Sequence, residues 1–331
     1  MKTSLSAEIS SWLHVALRWC LSMVAAALVV CCVTGIALQM YYVPSSATAR
    51  DERGRPLSVV SAEYTPIVND TGDTLALPGQ RALVAQPGGK AVSVAAASVQ
   101  VDIEHATGGS LIRYLHGAST VVLLIAAAGA VVAGALACTW KHGFLWPSLC
   151  AIPVIAIVAA WTGRLLPDDA YAEASRTVVG NAIRLDMVGA SIVRSLTGLT
   201  MPIDNTLPRI LSVHAWLTTI PLAALIGVVI KRWRWPSAAE LAMVVAALCC
   251  LCWLVYPLTL ADQTGSNPWW PFLPAHVLAD VLGGADAASY VLMALFIAVC
   301  TLPWWHSRVS PRVPIAVLAG TALLFLFTFL W

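Results

Sequence analysis

The chain has 331 residues, of which 59% are apolar and only 11% charged, with a formal net charge of +2. Its mean hydropathy of +0.79 excludes an ordinary soluble globular domain. So small a charge, with no clustered Lys/Arg interleaved with aromatics, excludes a nucleic-acid groove.

The first apolar run extends from near Trp12 to about Val43. It is too long for a signal-peptide core and ends without a small-residue cleavage site, so it is read as a retained first span. A helix needs about 20 apolar residues to cross the hydrocarbon core. Candidates of that kind lie near 12–42, 110–138, 144–166, 209–231, 239–261, 287–304 and 313–331. Backbone in lipid must satisfy its own hydrogen bonds, and these runs are too long and continuous for barrel strands. The predicted fold class is therefore all-α integral membrane, with seven transmembrane helices.

Three short connections are basic, through Lys141, through Lys231, Arg232 and Arg234, and through Arg308 and Arg312, with Glu240 the nearby acid. The positive-inside rule puts these loops and the N-terminus in the cytoplasm and the C-terminus outside. On the opposite side, segment 44–109 is polar, rich in Pro and Gly, and carries Asp51, Glu52, Glu63, Asp70 and Asp73. It reads as a small external insertion with some strand content. Segment 168–204 lacks a span-length run, but Val178, Val179, Ala182, Ile183, Met187, Ile192, Val193 and Leu196 recur at mostly helical spacing. One or two amphipathic helices along the outer surface are expected there.

All nine cysteines, Cys20, Cys31, Cys32, Cys138, Cys150, Cys249, Cys250, Cys252 and Cys300, fall inside or at the ends of apolar runs. No haem-attachment or zinc-like spacing occurs, so they read as small lipid-buried packing residues, and a disulfide framework is not expected.

Five stretches carry a family resemblance: Thr34–Pro44 (TGIALQMYYVP), Ile112–His116 (IRYLH), Trp161–Pro167 (WTGRLLP), Arg209–His214 (RILSVH) and Ser310–Val317 (SPRVPIAV). In this order they resemble cytochrome b of bc-type complexes, fused to something similar to the separate three-helix subunit of bf-type complexes. The similarity spans nearly the whole chain apart from about 50–91. It implies a cytochrome b-like four-helix bundle over 1–236 and a C-terminal-like three-helix part over 237–331.

In the family, helices two and four each carry two histidines about four turns apart, and facing pairs hold two stacked haems. A haem iron held by two imidazoles is closed to other ligands and suited to electron transfer. The resemblance puts His116 and His214 at the outer ligand positions, whereas Gly129 or Ala130 and Val228 or Val229 stand where the inner ligands would be. Gly35 and Gly163 match the outer-haem glycines, which clear space for a flat macrocycle. Leu21 and Leu149 stand fourteen residues earlier, where the family has its inner-haem glycines. Arg113, one turn before His116, matches the arginine that pairs with an outer-haem propionate. The resemblance thus implies a single outer-side haem b, with His116 and His214 as iron ligands and the inner volume filled by Leu, Val and Ala.

The family's quinol-oxidising Pro-Glu-Trp-Tyr motif corresponds to Asn267–Pro274 (NPWWPFLP), with Trp269 in place of the Glu that accepts a proton. Arg164 replaces an aromatic of that pocket, and Asp168 and Asp169 follow Pro167 where the family has Trp-Gly. A normal quinol-oxidation site is not expected, and no catalytic residue is assigned. Trp269 and Trp270 read as interfacial anchors, and His276 with Asp280 as a hydrogen-bonded interfacial pair. His14, His105, His142 and His306, near span ends, read as solvated or interfacial. Cys20 falls one residue from the position of a haem-anchoring cysteine in the bf branch.

Two functions follow from the resemblance. One is a one-haem electron-transfer subunit of a respiratory or photosynthetic complex in a bacterial-type cytoplasmic or equivalent energy-transducing membrane. Its partners would be other subunits, among them a complete cytochrome b, a Rieske-type protein or cytochrome c. The other is a haem-free pseudo-cytochrome b that scaffolds such an assembly. A transporter ranks below both, since the spans show no inverted repeat of broken helices.

Overall fold

The computed structural model describes residues 2–61, 66–68, 74–76, 81–85, 89–137, 139, 143–169, 172–177, 190–198, 206–233 and 297–305, with 243–244, 246, 291 and 294–295. Helix α1 spans Lys2–Gln39. Four short strands follow, β1 Ser58–Ser61, β2 Ile67–Val68, β3 Thr74–Ala76 and β4 Arg81–Val84. Then come α2 Val94–Ala97, α3 Ile103–His105, α4 Gly109–Leu136 and α5 Leu145–Leu165. Further on are α6 Ala190–Thr197, α7 Thr206–Ser212, α8 Thr219–Trp233 and α9 Leu302–Trp305.

Among the described residues, four stretches are long and apolar enough to cross a membrane: Ser11–Gln39, Gly109–Leu136, Leu145–Leu165 and Thr206–Lys231. They match the first four predicted spans to within a few residues, and the chain is an α-helical integral membrane protein. Span 313–331, most of 239–261, part of 287–304, the 236/237 boundary, Ser310–Val317, Trp269, Trp270, His276 and Asp280 lie outside the described residues. The membrane helices keep apolar side chains outward: Val29, Val33 and Ile36 are each more than 60% exposed. Their spacing puts them on one stripe of α1, a face suited to lipid rather than water.

The chain divides into two compact units, and the cuts pass through the long helices. One unit comprises 1–29, 118–157 and 220–331, and the other 30–117 and 158–219.

In the first unit, Trp146 is fully buried, and its indole Nε1 donates to the Val299 carbonyl at 2.6 Å. A buried indole needs such a partner, because its N–H would otherwise lose its hydrogen bond. Leu17, Leu21, Val24, Leu149, Leu222 and Val229 are also buried here. A Cβ at Gly134 would lie 2.6 Å from Leu149 Cδ2 and 3.7 Å from the Trp146 ring, so this glycine admits the close approach of α5 side chains.

In the second unit, the segment between α1 and α4 carries the expected strand content. Strands β1 and β4 pair antiparallel from Ser58 opposite Val84 to Ser61 opposite Arg81, and β2 pairs with β3 through a register shift. Ala82 is buried against Ile67, Leu75 and Val84, a core too small to stand without help from the rest of the chain. Bridges Thr48–Ser93 and Arg50–Pro56 close the base. The Ser93 hydroxyl then caps α2 by accepting from Ala96 N at 3.1 Å. Between α5 and α7, a short helix covers 172–177 and α6 follows. Gly198 ends α6 at φ +68, with its N–H donating to the Arg194 carbonyl at 2.9 Å, the left-handed cap that glycine makes without strain.

Replacing Trp146 by Ala should destabilise the protein by about 3 kcal/mol through the cavity it leaves. Phe, which keeps most of the volume but loses the bond to Val299, should cost only about 1 kcal/mol. Detergent-solubilised unfolding midpoints of the two variants check the order; equal losses would contradict it.

Candidate functional site

His116, His214, Gly35, Gly163 and Arg113 all belong to the second unit. His116 is on α4, and His214 lies in a π-helical segment, Val213–Thr218, between α7 and α8. Pro221 follows just beyond it; lacking an N–H, it withdraws the donor that an α-helix would aim at the Leu217 carbonyl. The hydroxyls of Thr218 and Thr219 both donate to the His214 carbonyl, at 2.9 and 3.0 Å. Local departures of this kind recur at functional positions, and this one sits at His214 itself.

The two imidazole rings have centroids 6.1 Å apart and planes inclined at 72°. His116 Nδ1 lies 3.1 Å from the Cys31 carbonyl, and His214 Nδ1 lies 2.8 Å from the Ala159 carbonyl. A carbonyl only accepts, so Nδ1 carries the hydrogen on each ring and Nε2 keeps its lone pair. Two such nitrogens, each about 2 Å from a shared metal, would put the ring centres about 6 Å apart. The carbonyls act as outer-shell partners, fixing tautomer and ring orientation. Both histidines keep some accessible surface.

Each histidine is seated at the same local device. In α1, Thr34 Oγ1 donates to Val30 O at 2.6 Å and lies 3.1 Å from His116 Nδ1. In α5, Thr162 Oγ1 donates to Val158 O at 2.8 Å and lies 3.4 Å from His214 Nδ1. With its hydrogen turned to its own helix, each threonine presents lone pairs to the imidazole N–H. The next residue is glycine in both helices. A Cβ at Gly35 would lie 3.2 Å from His116 Cε1, and one at Gly163 only 2.7 Å from His214 Cε1. Both glycines thus leave room for the imidazole ring packed against them.

Arg113 lies one turn before His116, on the same face of α4. Its Nη1 donates to the Val99 carbonyl at 3.2 Å, and Val99 belongs to a second π-helical segment, Ser98–Asp102. Glu104, Arg81, Arg164 and Asp169 are its charged neighbours. Arg81 pairs loosely with Glu104 at 3.9 Å, and its carbonyl lies 2.8 Å from His105 Nε2, which ties strand β4 to the approach to α4. Asp168 and Asp169 have structural work: Asp168, at φ +50, pairs with Arg176, while Asp169 Oδ1 accepts from Ala172 N at 2.9 Å. Tyr42 donates to the Leu166 carbonyl at 2.8 Å, fastening the end of α5.

The residues at the inner positions lie in the first unit, where Leu21, Ala130, Leu149 and Val229 are each under 5% exposed. A Cβ on Gly129 would come within 3.3 Å of Cys20 Sγ. Among the described residues, no group of three or more His, Cys, Asp or Glu side chains gathers into a metal cluster.

Compared with solved structures, the chain is similar to one chain of a hyperthermophilic respiratory Complex III. The TM-score is 0.63 at 13% identity, covering 94% of this chain and 84% of that one. At that identity the likeness is one of fold. No family model and no curated protein matches the sequence.

The sequence reading named His116, His214, Gly35, Gly163 and Arg113, and the fold brings the two histidines and two glycines together, with Arg113 one turn away. It missed Thr34, Thr162 and the carbonyls of Cys31 and Ala159. A signal existed: Thr-Gly occurs at 34–35 and again at 162–163, in the two helices that face the histidines.

Gly163→Ala should displace His214 from the Ala159 carbonyl and lower stability by about 1 kcal/mol or more, the worth of a lost hydrogen bond plus strain. Gly35→Ala, with its milder contact, should cost less. Thermal unfolding of the two variants in detergent tests the ranking, and a larger loss for Gly35→Ala would contradict it.

Proposed function

We propose that the chain is a membrane electron-transfer subunit of a cytochrome bc-like complex that binds one haem b, between His116 and His214. The observation that carries this reading is the paired imidazoles, each held at Nδ1 by a backbone carbonyl with Nε2 left to bind metal, 6.1 Å between ring centres. Haem held by two imidazoles would carry single electrons and admit no further ligand. His116 and His214 would hold the iron in this reading. Thr34, Thr162 and the two carbonyls orient them, and Arg113 offers a guanidinium for a propionate.

The likeness to a chain of a respiratory Complex III supports assignment to a multi-subunit respiratory assembly. The finer features belong to the same proposal: seven spans, the N-terminus cytoplasmic, the C-terminus outside, and partners that include a complete cytochrome b, a Rieske-type protein or cytochrome c. The buried apolar residues at the inner positions favour one haem over two. Trp269 in place of a proton-accepting Glu argues against a normal quinol-oxidation site.

Those same inner residues also support a second reading, a haem-free pseudo-cytochrome b that scaffolds its complex. Loss of an inner site with retention of the bundle is what a scaffold needs.

Chain purified from its membrane should contain one haem b per polypeptide by pyridine haemochromogen assay, and His116→Ala or His214→Ala should lower that to near zero. Two haems per chain would overturn the ligand count. None, with assembly unchanged in the double variant, would leave the scaffold reading.

A further inference from the structure

Thr34 and Thr162 each precede a glycine that packs on a histidine, yet their hydroxyls are placed differently. His116 Nδ1 lies 3.1 Å from the Cys31 carbonyl and the same 3.1 Å from Thr34 Oγ1. A single N–H set between two acceptors at equal distance is shared by both, as a three-centre bond. The Thr34 hydroxyl is able to accept because its own hydrogen goes to Val30 O at 2.6 Å, much closer than Cys31 O at 3.3 Å. On α5 the balance is different. His214 Nδ1 lies 2.8 Å from the Ala159 carbonyl and 3.4 Å from Thr162 Oγ1, so the carbonyl takes the bond. Thr162 Oγ1 is 2.8 Å from Val158 O and 2.9 Å from Ala159 O, and its hydroxyl serves the helix more than the ring. Both threonines are buried, where a hydroxyl bond to an imidazole is stronger than in water.

We propose that Thr34 is a positioning residue that tunes the site through His116: as second acceptor of the imidazole N–H, its hydroxyl lowers the potential of the iron that His116 would hold, whereas Thr162 has little such effect. An acceptor at one ring nitrogen raises the basicity of the other. A more basic nitrogen stabilises ferric over ferrous iron, and hydrogen bonding to a ligand is one of the levers by which a protein sets a haem potential. The inference rests on the one-haem reading given above and adds to it an inequality between two ligands that the Thr-Gly repeat makes look equivalent. Thr34→Val keeps the shape of the side chain and removes the acceptor, while Thr34→Ser keeps the acceptor and removes a methyl group. Thr162→Val removes the same hydroxyl from the matching position, which controls for lost polarity alone.

The experiment purifies the full native chain and these three variants from the membrane in detergent, quantifies haem per polypeptide, and titrates its potential while following the visible spectrum. Thr34→Val should have a more positive midpoint than the native chain, Thr34→Ser should return to the native midpoint, and Thr162→Val should shift less than Thr34→Val. With haem retained, an unshifted or more negative midpoint in Thr34→Val, an equal shift in Thr34→Ser, or an equal shift in Thr162→Val would overturn the tuning role and leave the one-haem reading standing. A native chain without haem would overturn both. Should Thr34→Val lose its haem, Thr34→Cys takes its place: the thiol is close in size to the serine hydroxyl but a much weaker acceptor. Its midpoint should then lie above that of Thr34→Ser, and equal midpoints would overturn the proposal.

Discussion

The histidine pair depends on one constraint, an imidazole N–H held by the carbonyl of a helix that already uses that carbonyl in its own ladder. Cys31 O and Ala159 O can serve because the neighbouring threonine hydroxyls turn inward to their own helices and the following glycines leave no Cβ in the way. Each part fails without the others. A larger residue at 35 or 163 would push the ring off its acceptor, and a ring without an acceptor could rotate or exchange tautomers. In a membrane interior, where water does not compete, such a bond holds more firmly than at a wet surface.

The π-helical segments serve the same geometry from the other side. Val213–Thr218 sets the azimuth of His214, and two threonine hydroxyls complete the hydrogen bonding of its carbonyl. Ser98–Asp102 presents the Val99 carbonyl to Arg113. Irregular backbone is costly in lipid unless its polar groups find partners, and here each irregularity comes with side-chain donors. The region between α1 and α4 contributes through Arg81 and His105, so the small strand pairs are fastened to the approach to the histidine-bearing helix.

In the first unit, Leu21, Leu149, Ala130 and Val229 are buried, with Trp146 buried beside Leu149 and Gly134. These four positions carry apolar side chains, which offer no ligand. That contrast between the two units, rather than any one residue, is what makes a single-site reading more economical than a two-site one.

The sequence alone determined the membrane class and the first four spans, because about 20 apolar residues in lipid have no alternative to a helix. It also marked His116, His214, Gly35, Gly163 and Arg113, since these fall within recognisable stretches at helix ends. What it did not determine was how the histidines are held. The carbonyls of Cys31 and Ala159 are backbone atoms that no residue type announces, and the bond from Trp146 to the Val299 carbonyl joins positions far apart in the chain. That the glycines lie against the imidazole rings was visible only in the folded helices. Local pattern fixes elements because hydrogen bonding in lipid is local; which surfaces meet depends on packing, and that was decided by the tertiary structure.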